Sequence, residues 1–207
     1  MISSEVSIIA NINKSATVRQ THDGKDFISL GVEFPIHDHQ GNSKNIDVSV
    51  SVDGGKEMVE KYTSGHRVEI NGILYFKKID DSLYLNLRAH NNLRICDNTT
   101  PEKFEGHLRF IGKLGQKGVE TRKDKNGKDY NSFSAWTGER DKSNPEKYNF
   151  IWVRFRNFQK IDLSCATPKE CVEIFGDLQL SLYKEKLQID SIITKISPYI
   201  SQPNNNK

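Results

Sequence analysis

The residues with the most chemical promise lie close together. Trp152, Phe155 and Phe158 stand among Arg154, Arg156 and Lys160 in residues 150–160, FIWVRFRNFQK. Flat rings stack on nucleic-acid bases while Arg and Lys neutralise phosphate, which is the chemistry of a single-stranded nucleic-acid platform. The same residues also suit a half-buried strand whose Arg side chains run over an apolar edge. Either way the stretch alternates aromatic and β-branched residues, and this predicts a strand. On it Ile151, Val153 and Phe155 share one face, and Trp152, Arg154, Arg156 and Phe158 the other.

Other chemistries find less support. No clustered carboxylates with a basic partner, no activated Ser or Cys arrangement and no phosphate-cradling Gly loop are visible, so no catalysis is expected. Asp23 and Asp124 read as turn residues. Cys96, Cys165 and Cys171 are odd in number and spaced like neither a disulfide framework nor a zinc site. His37-Asp38-His39 sits in a polar turn without a third ligand cluster, so neither a metal nor a cofactor is expected. No apolar run approaches the ~18 residues of a membrane span. MISSEVSIIANI has no signal-peptide pattern, which favours the cytoplasm.

The charge is unevenly spread. Residues 1–100 hold 11 Lys+Arg against 13 Asp+Glu, a net −2, and residues 101–207 hold 19 against 14, a net +5. Within 109–160 the balance is 13 to 6, a net +7. The surplus collects around the ring-rich strand, as expected for a surface that meets a polyanion.

Those side chains need a scaffold, and the chain supplies it twice. Five strands are expected in the first half, over residues 5–12, 27–34, 46–52, 66–75 and 83–87. One short helix, KEMVEKYT over 56–63, lies between the third and fourth. The second half repeats this order. Gly24 matches Gly127, Gly72 matches Gly176 and Leu85 matches Leu187, at offsets of 103, 104 and 102 residues. Collinear matches of this kind indicate tandem copies of one domain. Five strands with a helix or turn between strands 3 and 4 is the order of the OB-fold, a small Greek-key barrel. The expected fold is therefore all-β, two tandem OB barrels. Residues 1–97 form the first, 98–104 a linker, 105–200 the second and 201–207 a disordered tail.

Both halves resemble the OB domain of bacterial single-stranded DNA-binding proteins. The first half carries Val6 to Ile12, similar to that family's V-x-L-x-G-N-L, with Ala10 in place of Gly. It also carries Tyr62-Thr63-Ser64-Gly65-His66-Arg67-Val68-Glu69-Ile70-Asn71-Gly72, similar to Y-x-x-G-x-x-V-x-I-x-G. The second half carries Phe110-Ile111-Gly112-Lys113-Leu114 at its opening strand. It also carries Trp152-Val153-Arg154 and Phe158-Gln159-Lys160, which resemble the third-strand pattern W-H-R-x-x-x-F-G-K. Arg140-Asp141-Lys142 resembles an R-D-K in the loop after strand two. The family's preceding Trp is Glu139 here, and Trp136 either substitutes for it or belongs to the core.

The resemblance implies sequence-independent binding of single-stranded DNA in replication, recombination, or plasmid, phage or conjugative DNA processing. Trp152, Phe158 and Tyr183 would stack bases. Arg122, Lys123, Lys125, Lys128, Lys113, Arg140, Arg154, Arg156 and Lys160 would follow the phosphates. In the first half the positions matching Trp152, Arg154 and Phe158 fall in residues 47–55, DVSVSVDGG, which hold no ring and no basic charge. Its remaining candidates are Arg19, Tyr75, Phe76, Lys77, Lys78 and Arg88. Tyr75 and Phe76 would lie on opposite faces, leaving one ring in the core. The first barrel is thus expected to be a scaffold or dimerisation domain. By analogy the chain is a homodimer with four OB domains. The family's acidic partner-recruiting tip has no counterpart in SQPNNNK, so recruitment by that route is not expected. An OB adaptor between proteins, or an RNA-binding OB protein, are the alternatives.

Overall fold

Runs of alternating apolar and polar residues, broken by Asp-Gly and Asn-Gly turns, leave this chain little choice but strands. A computed structural model describes residues 1–37, 41, 43–140 and 146–200. It contains twelve strands among them: β1 (Ile2–Gln20), β2 (Asp26–His37), β3 (Ser43–Asp53), β4 (Arg67–Ile79), β5 (Ser82–Ala89), β6 (Arg94–Cys96), β7 (Lys103–Leu114), β8 (Glu120–Lys123), β9 (Asp129–Arg140), β10 (Tyr148–Asn157), β11 (Cys171–Tyr183) and β12 (Lys186–Pro198). Asp38, His39, Asp141, Lys142 and the tail 201–207 lie outside the described residues. The metal-turn, R-D-K and tail readings therefore fall wholly or partly outside them.

The chain divides into two compact units. One comprises Ser3–His107 with Leu178–Gln188, the other Met1–Ile2, Leu108–Asp177 and Ile189–Lys207. In the first unit β1 pairs with β2, β2 with β3, β3 in parallel with β5, β5 with β4, and β4 with β1. The five strands close on themselves, which leaves little exposed edge. A sixth short strand, β6, adds to β4 through Arg67↔Cys96, and the alternation pattern did not announce it. Ile8, Ile12, Ile28, Ile70, Leu74 and Leu87 fill the interior.

In the second unit the same circuit recurs. β7 pairs with β9, β9 with β10, β10 in parallel with β12, β12 with β11, and β11 with β7. β8 forms a hairpin with β9. The core is more aromatic here. Phe155 meets Phe110 edge-on at 5.2 Å and stacks with Phe133 at 5.4 Å.

Two local features explain motifs in the sequence. Tyr62 is buried and its hydroxyl donates to the Leu93 carbonyl at 3.2 Å, while burial raises its pKa. The backbone around it is tied to β1: Ala16 N donates to Tyr62 O at 2.8 Å, and Gly65 N to Ile12 O at 2.9 Å. Gly65 has φ +91°, where a Cβ would be strained. Gly72 and Gly176, the matched glycines of the two copies, sit where the following strand crosses. A Cβ at Gly72 would meet the Arg88 carbonyl oxygen and, at 2.9 Å, the Ala89 Cα; one at Gly176 would meet the Ile192 carbonyl oxygen. Backbone cannot yield as a side chain does. Gly72→Ala should cost about 1–3 kcal/mol, visible as a lowered thermal midpoint by circular dichroism. An unchanged midpoint would show that β4 and β5 separate freely.

The expected helix at 56–63 is a single 3-10 helix, Lys56–Lys61, with no side-chain N-cap after Gly54-Gly55. Six residues cannot meet the nucleation cost of an α-helix unaided. The second copy uses turns instead, with Ala166 N on Leu163 O and Glu170 N on Thr167 O.

Candidate nucleic-acid interface

β10 alternates as its sequence requires. Ile151, Val153 and Phe155 are buried, and Trp152 is 52% exposed. The strand ends at Asn157, however, earlier than residues 150–160 suggested. The buried Asn157 side chain accepts from Ile161 N at 3.1 Å and donates to Ile161 O at 2.8 Å. This closes a turn, within which Lys160 has φ +56°. Phe158 is thus off the strand. It stacks on Tyr130 at 4.7 Å rather than joining the ring group around Trp152.

That group is larger than the sequence motif indicated. Register places Trp136 of β9 directly across from Trp152, with centroids 6.4 Å apart. Trp136 lies on the outer face of β9, not in the core. Phe150 meets it edge-on at 5.1 Å, and Tyr148 stacks on Phe150 at 6.3 Å. Trp152, Trp136, Phe150 and Tyr148 form a continuous ring track across two strands. Glycines clear the space for it. A Cβ at Gly138 would meet Phe150 Cε1 at 3.0 Å, and one at Gly115 would meet Trp152 Cζ3 at 3.3 Å. Tyr148 and Phe150 could have been found from sequence, because they precede Trp152 by four and two residues on one face of a strand.

The cations are arranged around this track. Lys113 of β7 pairs in register with Trp136 and flanks it. Arg140 sits 5.6 Å over the Tyr148 ring and its Nε donates to the Tyr148 hydroxyl at 2.8 Å. Arg154 Nε donates to the buried carboxylate of Asp190. This hydrogen bond is the main reason the Arg154 pKa is raised, and it fixes the side chain at one end of the track. Arg156 is half-buried next along β10.

The β8–β9 hairpin carries the others. Arg122 pairs with Glu120 at 2.7 Å and Lys123 with Asp129 at 2.9 Å. Asp124 is a turn residue, accepting from Asn126 N at 2.8 Å and Lys128 N at 2.9 Å. Lys125 and Lys128 stand at the exposed tip, and among the described residues neither forms an ion pair.

Tyr183 is 64% exposed with Lys184 Nζ 5.6 Å over its ring, and it belongs to the other unit. That unit has its own face. Val48, Val50 and Val52 point inward, so Ser49 and Ser51 stand where the second barrel has Trp152 and Arg154. They line a cleft of about 460 Å³ with Arg19, Phe27, Tyr75 and Arg88, the last held by Asp53. Tyr75 is 46% exposed and Phe76 3%, on opposite faces as expected. Phe27 was not singled out in the sequence. It corresponds in the repeat to Tyr130.

Among the described residues no group of three or more His, Cys, Asp or Glu is placed to hold a metal ion. No helix is long and apolar enough to cross a membrane.

Two closed five-stranded barrels in one chain, each with the strand order of the OB-fold, define a tandem double-OB protein. The described fold extends over nearly the whole length of a solved structure. The chain is similar to the wild-type single-stranded DNA binding protein from Thermus aquaticus, at 14% identity and TM-score 0.52, covering 99% of this chain and 96% of that one. A deletion mutant of the same protein is matched at 13% identity and TM-score 0.52, covering 99% and 98%. These likenesses establish the fold. No protein-family model matches the sequence, and no curated protein matches it.

Proposed function

We propose that the chain binds single-stranded DNA without sequence specificity, chiefly through the outer face of β9 and β10. The ring track supports this reading most directly. Four aromatic side chains that add nothing to the barrel interior lie in a row, with Lys113, Arg140 and Arg154 beside them. Base stacking on such rings contributes about 1–3 kcal/mol per base and tolerates any base. Lys125 and Lys128 extend the positive surface along the hairpin, and Tyr183 is a further stacking candidate. The role is protection of single strands during replication, recombination or the processing of plasmid, phage or conjugative DNA. The first barrel, with serines in place of rings, acts as scaffold, and a homodimer would bring four barrels together.

The test is a titration of the full chain with dT oligomers of increasing length at two salt concentrations, read by fluorescence anisotropy. Affinity should fall steeply with salt, with a log–log slope of about −0.7 per phosphate neutralised. Replacing Lys125 and Lys128 together by Gln should make that slope shallower by roughly 1.4 if each meets one phosphate. An unaltered slope would remove the hairpin tip from the interface. Salt-independent binding, or none, would overturn the reading. Tighter binding of the matching rU series would redirect it to RNA.

A further inference from the structure

The ring track is bounded on one side by a cleft of about 610 Å³ between the Trp152 ring, the Gly115–Gly118 loop and the β8 end of the hairpin. A flat platform needs no such depth. The volume is ample for one base stacked on Trp152 with its edge turned inward, so what lines the inner wall decides which edge fits.

Arg154 lies on that wall, and Ser134 stands directly across from it in the β9–β10 register. Arg154 is engaged through Nε by Asp190, a carboxylate only 1% exposed. One edge of the guanidinium is therefore anchored. Among the described residues no partner within the chain engages Nη1 or Nη2, and this pair forms a fixed fork of donors. The cleft's one carboxylate, Glu120, is taken by Arg122 at 2.7 Å. The inner wall is thus rich in donors, with its principal acceptor occupied.

We propose that this cleft is a guanine-selective subsite within an otherwise sequence-tolerant interface. Guanine presents O6 and N7 as adjacent acceptors, the pair that a guanidinium fork matches bidentately. Adenine sets a donor beside N7 and leaves one arm of the fork unsatisfied. Unpaired thymine separates its two carbonyl acceptors by the N3–H donor, and unpaired cytosine, with O2 and N3 adjacent, is the competing fit, so the selectivity is for guanine over adenine and thymine. The inference rests on the ring track being a single-strand platform, and it adds a preference at one nucleotide.

The experiment uses the full chain and an oligo-dT host carrying one guest base, moved position by position, with anisotropy as readout. At one position dG should bind about tenfold tighter than dA, and 7-deazaguanine, which lacks N7, should lose most of that advantage. In Arg154→Lys, where the charge remains and the fork does not, the dG to dA ratio should approach one. If the host binds and dG equals dA at every position, the subsite is wrong while the platform reading stands. If 7-deazaguanine binds as well as guanine, the subsite is likewise wrong. If the host does not bind, both fall together.

Discussion

Trp152→Ala should weaken binding of oligo-dT by about tenfold to a hundredfold, the loss of one stacked base at ~1–3 kcal/mol and part of a second. Trp152 is the ring of the track next to Arg154, opposite Trp136, and a Cβ at Gly115 would come within 3.3 Å of it. Its removal exposes the Trp136 edge and opens the cleft, so neighbouring contacts weaken too. Folding should barely change, because the side chain is half in solvent and exposed substitutions of this kind stay within roughly ±0.5 kcal/mol. The pair of measurements is anisotropy with a labelled dT oligomer and a thermal melt of the same sample. Unchanged affinity would remove β10 from the interface. A lowered melt would make Trp152 structural.

Phe155→Ala, three residues along the same strand, should do the reverse. Phe155 is fully buried between Phe110 and Phe133, and replacing such a ring by Ala costs about 3–5 kcal/mol in lost burial and residual cavity. A domain of this size holds only ~5–15 kcal/mol in all. The second barrel should melt far earlier than in the parent, in urea or on heating. DNA binding should be lost only where the barrel is unfolded and persist at low temperature. A variant that melts normally would mean that the three rings repack without a cavity. The two substitutions should thus separate the faces of one strand, with loss of affinity expected from the outer and loss of stability from the inner.

Much of this was legible because alternation is a strong signal. The faces of β10 followed from the order of Ile151, Trp152, Val153, Arg154 and Phe155. The tandem architecture followed from matched glycines, whose physical reason is a close backbone crossing at Gly72 and Gly176. Tyr75 and Phe76 fell on opposite faces for the same reason of period two. What the sequence hid was set by contacts between strands. Trp136 could be core or surface until its register with Trp152 was known. Phe158 read as a continuation of the strand until the Asn157 side chain took over the backbone hydrogen bonds and turned the chain. The anchoring of Arg154 by Asp190 joins residues 36 apart and leaves no local trace.

The grouping of Leu178–Gln188 with Ser3–His107 sets a timetable for synthesis. In that unit Lys44 Nζ donates to the Glu185 carbonyl at 2.9 Å and Lys186 approaches Asp81 at 3.7 Å. The first five strands can close as soon as they leave the ribosome, yet the piece that completes their packing is translated about 70 residues later. At ~5–20 residues per second the nascent first barrel waits several seconds with that surface uncovered. Conversely, Met1, whose amino group donates to the Ile111 carbonyl at 2.8 Å, is made before the rest of its unit is translated. Each copy thus holds a short piece in trust for the other, and a cut at the repeat boundary would yield two fragments that are each missing a part.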